Sequence, residues 1–385
     1  MDQSSAGGCQ GPGFQVDGAN DAAAADWRKL AQQARGRGAG SNASGRYERV
    51  RTEPFDDGWA DVDDDLPPIR TQSFVETAKS VITYNKSPDL SFDRTINPYR
   101  GCEHGCIYCY ARPKHAYSGL SAGLDFETKI FVKDGAAERL KQELGRPRYR
   151  PRAIVLGGDT DIYQPLEKDR RVTRSIMEVL SACRHPFGFV TKSALVLRDL
   201  DLLAPLAEQG LVRAAISLTT LDPRLARRME PRAAAPHRRL STIKALSEAG
   251  VPVTVMTAPL IPALNDMELD ALLEAAAEAG AVSAGYVLLR LPMEISGMFQ
   301  DWLATHYPDR AARIMKLIRE TRDGKDYQSE FGVRQRGTGP YARLIAQRFN
   351  AACTRFGLDR NRPPLRTDLF RPPPPKTGAE QLNLF

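Results

Sequence analysis

Between residues 91 and 291 the chain alternates short apolar runs with longer stretches whose apolar residues recur every three or four positions. The runs at 91–97, 153–156, 187–191, 212–218, 251–256 and 282–289 predict six strands. Between them, 135–144, the set Val172, Ile176, Val179 and Leu180, 200–209, a long region ending at Gly250, and the set Leu269, Leu272, Leu273 and Ala276 keep helical spacing. Strand alternating with helix predicts an α/β fold with a parallel sheet covered by crossover helices. In a barrel of such strands, chemistry belongs at their C-terminal ends. Polar or glycine-rich residues stand there each time: Gly157, Gly158 and Asp159 after the second strand, Lys192 after the third, Ser217 to Thr220 at the fourth, Ala258 and Pro259 after the fifth, Arg290 at the sixth.

The flanks differ in composition. Residues 1–70 are poor in large apolar side chains and contain the acidic cluster Asp61 to Asp65, which predicts a disordered segment with one short helix around 26–35. Residues 71–92 read as an extended lead-in, so the barrel domain is expected over 71–292. A helical, basic extension is expected over 293–371, and a proline spacer with a terminal peptide over 372–385. The net charge of +7 is uneven: 1–70 carry 12 acidic and 8 basic side chains, whereas 310–376 carry 16 basic and 6 acidic. Such a surface suits a polyanion, and equally a solvated Arg-rich helical face. At 42% hydrophobic and 26% charged residues the composition is that of a soluble globular protein. Residues 1–20 hold no apolar run, and no stretch approaches the ~20 apolar residues of a membrane span. A cytoplasmic protein without a signal peptide is the expectation.

Three of the six cysteines fall in Cys102-Glu103-His104-Gly105-Cys106-Ile107-Tyr108-Cys109, with Tyr110 following. Thiolates so close in sequence converge on a metal only if the backbone folds tightly, and Gly101 and Gly105 permit this. A structural zinc wants four protein ligands, and no second cysteine pair follows. Three thiolates are the right number for a 4Fe-4S cluster with one iron left open. A zinc knuckle completed by His104 or His115, or an electron-transfer ferredoxin, remain the alternatives.

The loop resembles the signature of radical S-adenosylmethionine enzymes. That resemblance implies a partial (β/α)6 TIM-like barrel, a 4Fe-4S cluster held by Cys102, Cys106 and Cys109, and S-adenosylmethionine bound through its amino and carboxylate groups at the open iron. Reductive cleavage would then yield a 5'-deoxyadenosyl radical that abstracts hydrogen from the substrate. Tyr108 matches the aromatic that packs on the adenine. Gly157, Gly158 and Asp159 resemble the Gly-Gly-Glu motif for the methionine amino group, with Asp in place of Glu. Lys192 and Ser217 match residues that bind the methionine carboxylate in the spore photoproduct lyase branch.

Cys106 to Tyr110, Thr160-Asp161-Ile162, Arg239-Leu240, Pro259 to Pro262 and Asn265-Asp266 continue the likeness to that branch over roughly 90–292. In it, tyrosines at Tyr108 and Tyr110 relay hydrogen atoms. The branch's hydrogen-donating cysteine has no counterpart, since Gly158 or Asp159 holds its place. The expected function is therefore a lyase-like radical enzyme on DNA or a DNA-associated substrate, served by flavodoxin or ferredoxin. Rival readings are the same chemistry on RNA, protein or a small molecule, and a non-catalytic redox-sensing cluster protein. Past Pro372 to Pro375, residues Gln381, Leu382, Leu384 and Phe385 resemble the peptide by which bacterial repair factors dock on the sliding clamp, which implies that partner.

Overall fold

The computed structural model describes residues 36–48, 69–359 and 363–374. Ten strands occur among them: β1 (Gln72–Val75), β2 (Ile82–Tyr84), β3 (Arg94–Ile96), β4 (Tyr99–Arg100), β5 (Lys129–Val132), β6 (Ile154–Leu156), β7 (Phe187–Thr191), β8 (Val212–Ser217), β9 (Val253–Leu260) and β10 (Ser283–Leu288). The main sheet runs β10-β9-β8-β7-β6-β3-β2. Its six strands β3 and β6 to β10 are parallel neighbours, and β2 adds an antiparallel edge. These six are the six expected strands, each within a few residues of its expected bounds. Edge strands β2 and β10 do not pair, so the barrel stays open.

Among the described residues there are eight helices of eight residues or more: α1 (Ala136–Leu144), α2 (Val172–Ala182), α3 (Leu200–Glu208), α4 (Pro236–Glu248), α5 (Leu269–Glu278), α6 (Glu294–His306), α7 (Pro308–Glu320) and α8 (Gly339–Phe356). Along β7, Phe187, Phe189 and Thr191 are buried while Gly188 and Val190 are half-buried, because side chains alternate across a strand. The buried face joins one core cluster with Ile176 and Leu180 of α2, Leu203 of α3 and Leu272 of α5. The other face lines the hollow of the open barrel.

No break in packing falls at residue 292. Ile345, Phe349 and Ala352 of α8 belong to the barrel's own core. Phe299, Trp302, Ile314 and Ile318 of α6 and α7 share a second cluster with Cys106, Ile107 and Tyr108. The helical extension thus forms the floor of the cysteine loop. Much of its positive charge is used internally: the two terminal nitrogens of Arg322 donate to the carbonyls of Leu288, Leu289, Val333 and Arg334 at 2.8–3.2 Å. The 332–335 segment also spans the barrel's open side. Gln335 O accepts Leu288 N–H at the β10 edge, 2.9 Å, and Arg334 pairs with Asp89 beyond β2.

Two expectations for the flanks meet a different picture. The lead-in contains β1, which pairs with β5 in a small sheet ordered β1-β5-β4. Within the segment expected to be disordered, residues 36–48 fold onto the cysteine loop, and Ala39 is buried. Carboxylates make this possible where apolar side chains are lacking: Glu127 accepts from the Gly38 and Ala39 amides at 2.9 and 2.8 Å. The expected helix at 26–35 lies outside the described residues.

At the barrel's other end, residues 363–374 run beneath the strands, with Arg366 N–H on Gly210 O and Arg371 N–H on Cys183 O. Phe370 packs edge-on to His185, which hydrogen-bonds Tyr149 at 2.7 Å. Burial drives the His185 pKa down to about 4. A depressed histidine contributes stability that is complete above its unfolded pKa of ~6.5 and is lost as pH falls toward 4. Unfolding free energy should therefore drop by up to about 3 kcal/mol from this one group across that window. Denaturant titrations of His185→Gln at pH 7 and pH 4.5 should show a smaller pH difference than the parent protein.

Candidate functional site

The cysteine loop leaves β3, turns through β4 and is held at both ends by backbone bonds: Cys102 N–H to Phe126 O, 3.0 Å, and Ile107 N–H to Met229 O, 3.0 Å. Gly105 has φ +67°, and a Cβ there would meet Glu127 Oε2 at 2.5 Å, so glycine is required on both counts. Arg112 and Glu127, each fully buried, pair beneath the loop. Arg112 also donates to the carbonyls of Cys106, Ala122 and Gly123 at 2.9–3.1 Å. Glu103 fixes the loop's outer side by accepting from Leu166 N–H, 2.6 Å, Thr71, 2.6 Å, and Arg232, 3.1 Å.

Cys102 and Cys106 are buried and Cys109 is partly so. Burial raises the Cys102 thiol well above its ordinary pKa, with Asp161, Cys106 and Cys109 adding to the effect. Burial likewise pushes Cys106 up to about 12, opposed by Lys192. Burial raises Cys109 against the pull of Arg112. Iron must displace these thiol protons, and Lys192 and Arg112, which act against the rise at Cys106 and Cys109, would also offset a cluster's negative charge. The residues fit the group. The histidines are otherwise engaged: His115 Nε2 lies 3.1 Å from Lys129 O, and His104 Nδ1 lies 3.2 Å from Asp161 Oδ2 without hydrogen-bond alignment. Among the described residues no set of three or more His, Cys, Asp and Glu is spaced for a single metal ion.

The other sequence-derived residues gather at the same end of the sheet. Tyr108 is buried, and its hydroxyl donates to Glu230. Glu230 also accepts from Thr219, 3.0 Å, and pairs with the buried Arg239, whose guanidinium reaches Ser217 O at 3.1 Å. Lys192 Nζ stands 6.0 Å from the Tyr108 ring centroid. Burial works against the lysine's charge, but Cys106 and Glu230 outweigh it and raise its pKa. Ser217 is buried at the end of β8, the strand beside β7, which precedes Lys192.

Tyr110 is 45% exposed; its hydroxyl donates to Gly158 O, and the Arg290 guanidinium lies 5.0 Å over its ring. Gly157 has φ +87°. The Asp159 amide donates to Asn97 Oδ1, 2.9 Å, while its carboxylate pairs with Lys114. Two groups that sequence reasoning left without a role, Glu230 and Arg239, form the support of Tyr108. Asp161 was noted only within a motif, yet it accepts from Thr191, 2.7 Å, the Lys192 amide, 2.8 Å, and the Tyr163 amide, 2.9 Å. Gln381, Leu382, Leu384 and Phe385 lie outside the described residues.

An open parallel half-barrel with a three-thiol loop at its C-terminal mouth defines an iron-sulfur enzyme that works by radical chemistry. A family model for the radical SAM superfamily matches residues 96–276. An uncharacterized protein of Mycobacterium tuberculosis is 40% identical over 240 residues, which is 61% of this chain and 71% of the relative. An uncharacterized protein of Methanocaldococcus jannaschii is 27% identical over 232 residues, 60% of this chain and 82% of the relative. The structure of spore photoproduct lyase complexed with dinucleoside spore photoproduct matches the fold with a TM-score of 0.53 at 15% identity, covering 74% of this chain and 79% of that one. The chain belongs to the radical SAM superfamily, whose 4Fe-4S cluster and S-adenosylmethionine are its cofactors.

Replacing Cys102, Cys106 or Cys109 by Ala should abolish the visible 4Fe-4S absorption of the anaerobically reconstituted protein. Cys9→Ala, Cys183→Ala and Cys353→Ala should retain it, with unchanged iron content. A fourth cysteine required for assembly would contradict an open iron.

Proposed function

We propose that this protein is a lyase-like radical enzyme acting on DNA or a DNA-associated substrate by a route that uses no cysteine as hydrogen donor. The observation that carries this reading is the three-thiol loop at a barrel mouth where the described residues offer no other thiol. Gly157, Gly158 and Asp159 occupy the segment after β6, and Cys183 and Cys353 are packed in the core. Bound cluster and S-adenosylmethionine supply reductive cleavage of the cofactor and, through it, hydrogen abstraction. The chain's residues bind and orient. Lys192 and Ser217 receive the methionine carboxylate, Tyr108 presents its ring to the adenine, and the backbone of Gly157 and Gly158 borders the amino group. Asp159 serves that amino group through Oδ2 while its Oδ1 keeps the half-exposed pair with Lys114, a contact of the kind worth about 0–1 kcal/mol.

Tyr110 is the better placed of the two tyrosines to exchange a hydrogen atom with substrate. Both hydroxyls are hydrogen-bonded, Tyr110 to Gly158 O and Tyr108 to Glu230, but Tyr110 is exposed at the mouth whereas Tyr108 is buried. The basic surplus of 310–376 suits a polyanionic substrate only in the part not engaged within the fold, since Arg319, Arg322, Arg334 and Arg348 serve partners of their own. The fold's likeness to a lyase solved with a dinucleoside photoproduct is in keeping with DNA. A flavodoxin or ferredoxin would deliver the electron, the cytoplasm would be the compartment, and the Gln381 to Phe385 peptide would dock on the sliding clamp. No helix among the described residues is long and apolar enough to cross a membrane.

Anaerobic incubation of the reduced protein with deuterated DNA lesions tests the reading. Label in 5'-deoxyadenosine is expected, and its absence across DNA substrates, with cofactor cleavage intact, would remove DNA. Lys192→Ala should weaken S-adenosylmethionine binding by about 10- to 100-fold, from a charge-assisted contact of ~1.5–3 kcal/mol, at unchanged iron content by equilibrium dialysis.

Deleting Gln381 to Phe385 should abolish clamp binding in a pull-down and leave cofactor cleavage as it was. A truncated protein that still binds the clamp would make the tail irrelevant to that partner.

A further inference from the structure

A cavity of about 260 Å³ opens beside the cysteine loop at the β2 edge of the sheet, with Thr83, Asn97, Arg100, Lys114, Lys133 and Asp159 on its walls. Two of its three cations already have acids. Arg100 pairs with Glu76 at 2.5 Å, and Lys114 pairs with Asp159. Lys133, at the end of β5, is half-buried and has no side-chain acceptor among the described residues, only the influence of Glu76 and Asp159 at longer range. Burial lowers its pKa, the mark of an ammonium kept from water without compensation.

Asn97 adds a second uncommitted donor. Its Oδ1 is occupied by the Asp159 amide, 2.9 Å, which fixes the orientation of the side chain and leaves both Nδ2 hydrogens without a protein acceptor among the described residues, in a residue 9% exposed. The Thr83 hydroxyl, on the neighbouring strand and exposed, has no protein partner among the described residues. Thr83 faces Thr95 across the β2–β3 pair, and Thr95 contacts Gly158, so this wall belongs to the hollow of the barrel and not to its outer surface. Among the described residues the uncommitted wall groups are the Lys133 ammonium, Asn97 Nδ2 and the Thr83 hydroxyl, beside two buried atoms without a hydrogen bond, Glu76 Oε2 and His115 Nδ1; with both ion pairs in place the walls carry one net positive charge.

We propose that this cavity is an oxyanion subsite for a phosphate group, with Lys133 as the anchoring cation and Asn97 Nδ2 and the Thr83 hydroxyl as directional donors. A tetrahedral oxyanion satisfies three donors arriving from separate strands, and it neutralises a half-buried ammonium that otherwise lacks a counter-charge. The assignment rests on the nucleic-acid reading only for the source of the phosphate. A backbone phosphate bound here would hold a strand against the cysteine loop, since Gly101 and Ala111 form the adjoining wall.

The test compares the reconstituted full-length protein with Lys133→Gln and Asn97→Ala, using inorganic phosphate and a single-stranded oligodeoxynucleotide as probes and S-adenosylmethionine as control. Lys133→Gln should weaken phosphate binding about 10-fold or more, and should lower the salt slope of oligonucleotide binding by roughly 0.7, the value for one lost single-strand phosphate contact. Asn97→Ala should weaken both probes with the salt slope unchanged. Lys133-dependent phosphate binding without oligonucleotide binding would keep the subsite and overturn the nucleic-acid reading. Equal affinities of Lys133→Gln and parent for phosphate would overturn the subsite, as would a loss confined to S-adenosylmethionine.

Discussion

The ion pair of Arg112 with Glu127, both without solvent exposure, is the constraint on which the mouth of the barrel depends. Two charges removed from water cost several kcal/mol each, and their attraction repays this only when further hydrogen bonds satisfy what remains. Here they do. Arg112 spends its other donors on Cys106, Ala122 and Gly123 carbonyls, and Glu127 takes the amides of Gly38 and Ala39. A hydrophobic pair of the same volume would fill the space but leave three carbonyls and two amides unpaired. The pair therefore specifies the path of the cysteine loop more than it adds stability. Gly105 is a consequence, because the carboxylate lies where any Cβ would be.

A second buried pair, Arg239 with Glu230, holds the same loop from the barrel side. Glu230 takes the Tyr108 hydroxyl, and Ile107 is tied to Met229, the residue before it. Burial works against the Glu230 charge, but Arg239 and Lys192 outweigh it and lower its pKa. Tyr108 keeps its proton well above the usual phenol range through burial, with Cys106 and Glu230 adding to it. The loop is thus gripped between two ionic anchors, and only Tyr110, just past the third cysteine, is left to face the opening.

The parts of this arrangement that rest on apolar patterning were legible in the sequence. Strands β6 to β10 carry apolar runs, and β3, with Ile96 as its one apolar residue, is marked by the Pro98 that follows it, so the residues after each strand located the chemistry. The anchors were not legible, because Arg112, Glu127, Glu230 and Arg239 belong to residue types that are exposed by default, and nothing local distinguishes a buried pair separated by 15 or 9 residues from a solvated one. A weak signal existed in Arg239, noted only as part of a motif. The ordered stretch at 36–48 escaped for the same reason, since its contacts are backbone amides on a distant carboxylate. Strands β1 and β5 are four residues each, too short to separate from an extended lead-in.

The basic C-terminal region shows why charge counts mislead unless the partners are known. Arg322 serves four backbone carbonyls, Arg319 holds Asp326, Arg334 bridges to Asp89 across the open barrel, and Arg348 binds Asp270. These cations do structural work, so the surplus is smaller than the sequence suggests and its location matters more than its size. The chain at 374 has by then passed beneath the strands, secured at Gly210 and Cys183, on the side opposite the cysteine loop. A partner held through residues beyond that point would meet the molecule from below while substrate enters from above. On the proposed reading, the polarity of the parallel sheet would separate attachment from chemistry, and the cations in reach of a substrate would be those beside the cysteine loop, Lys133 and Arg290 among them.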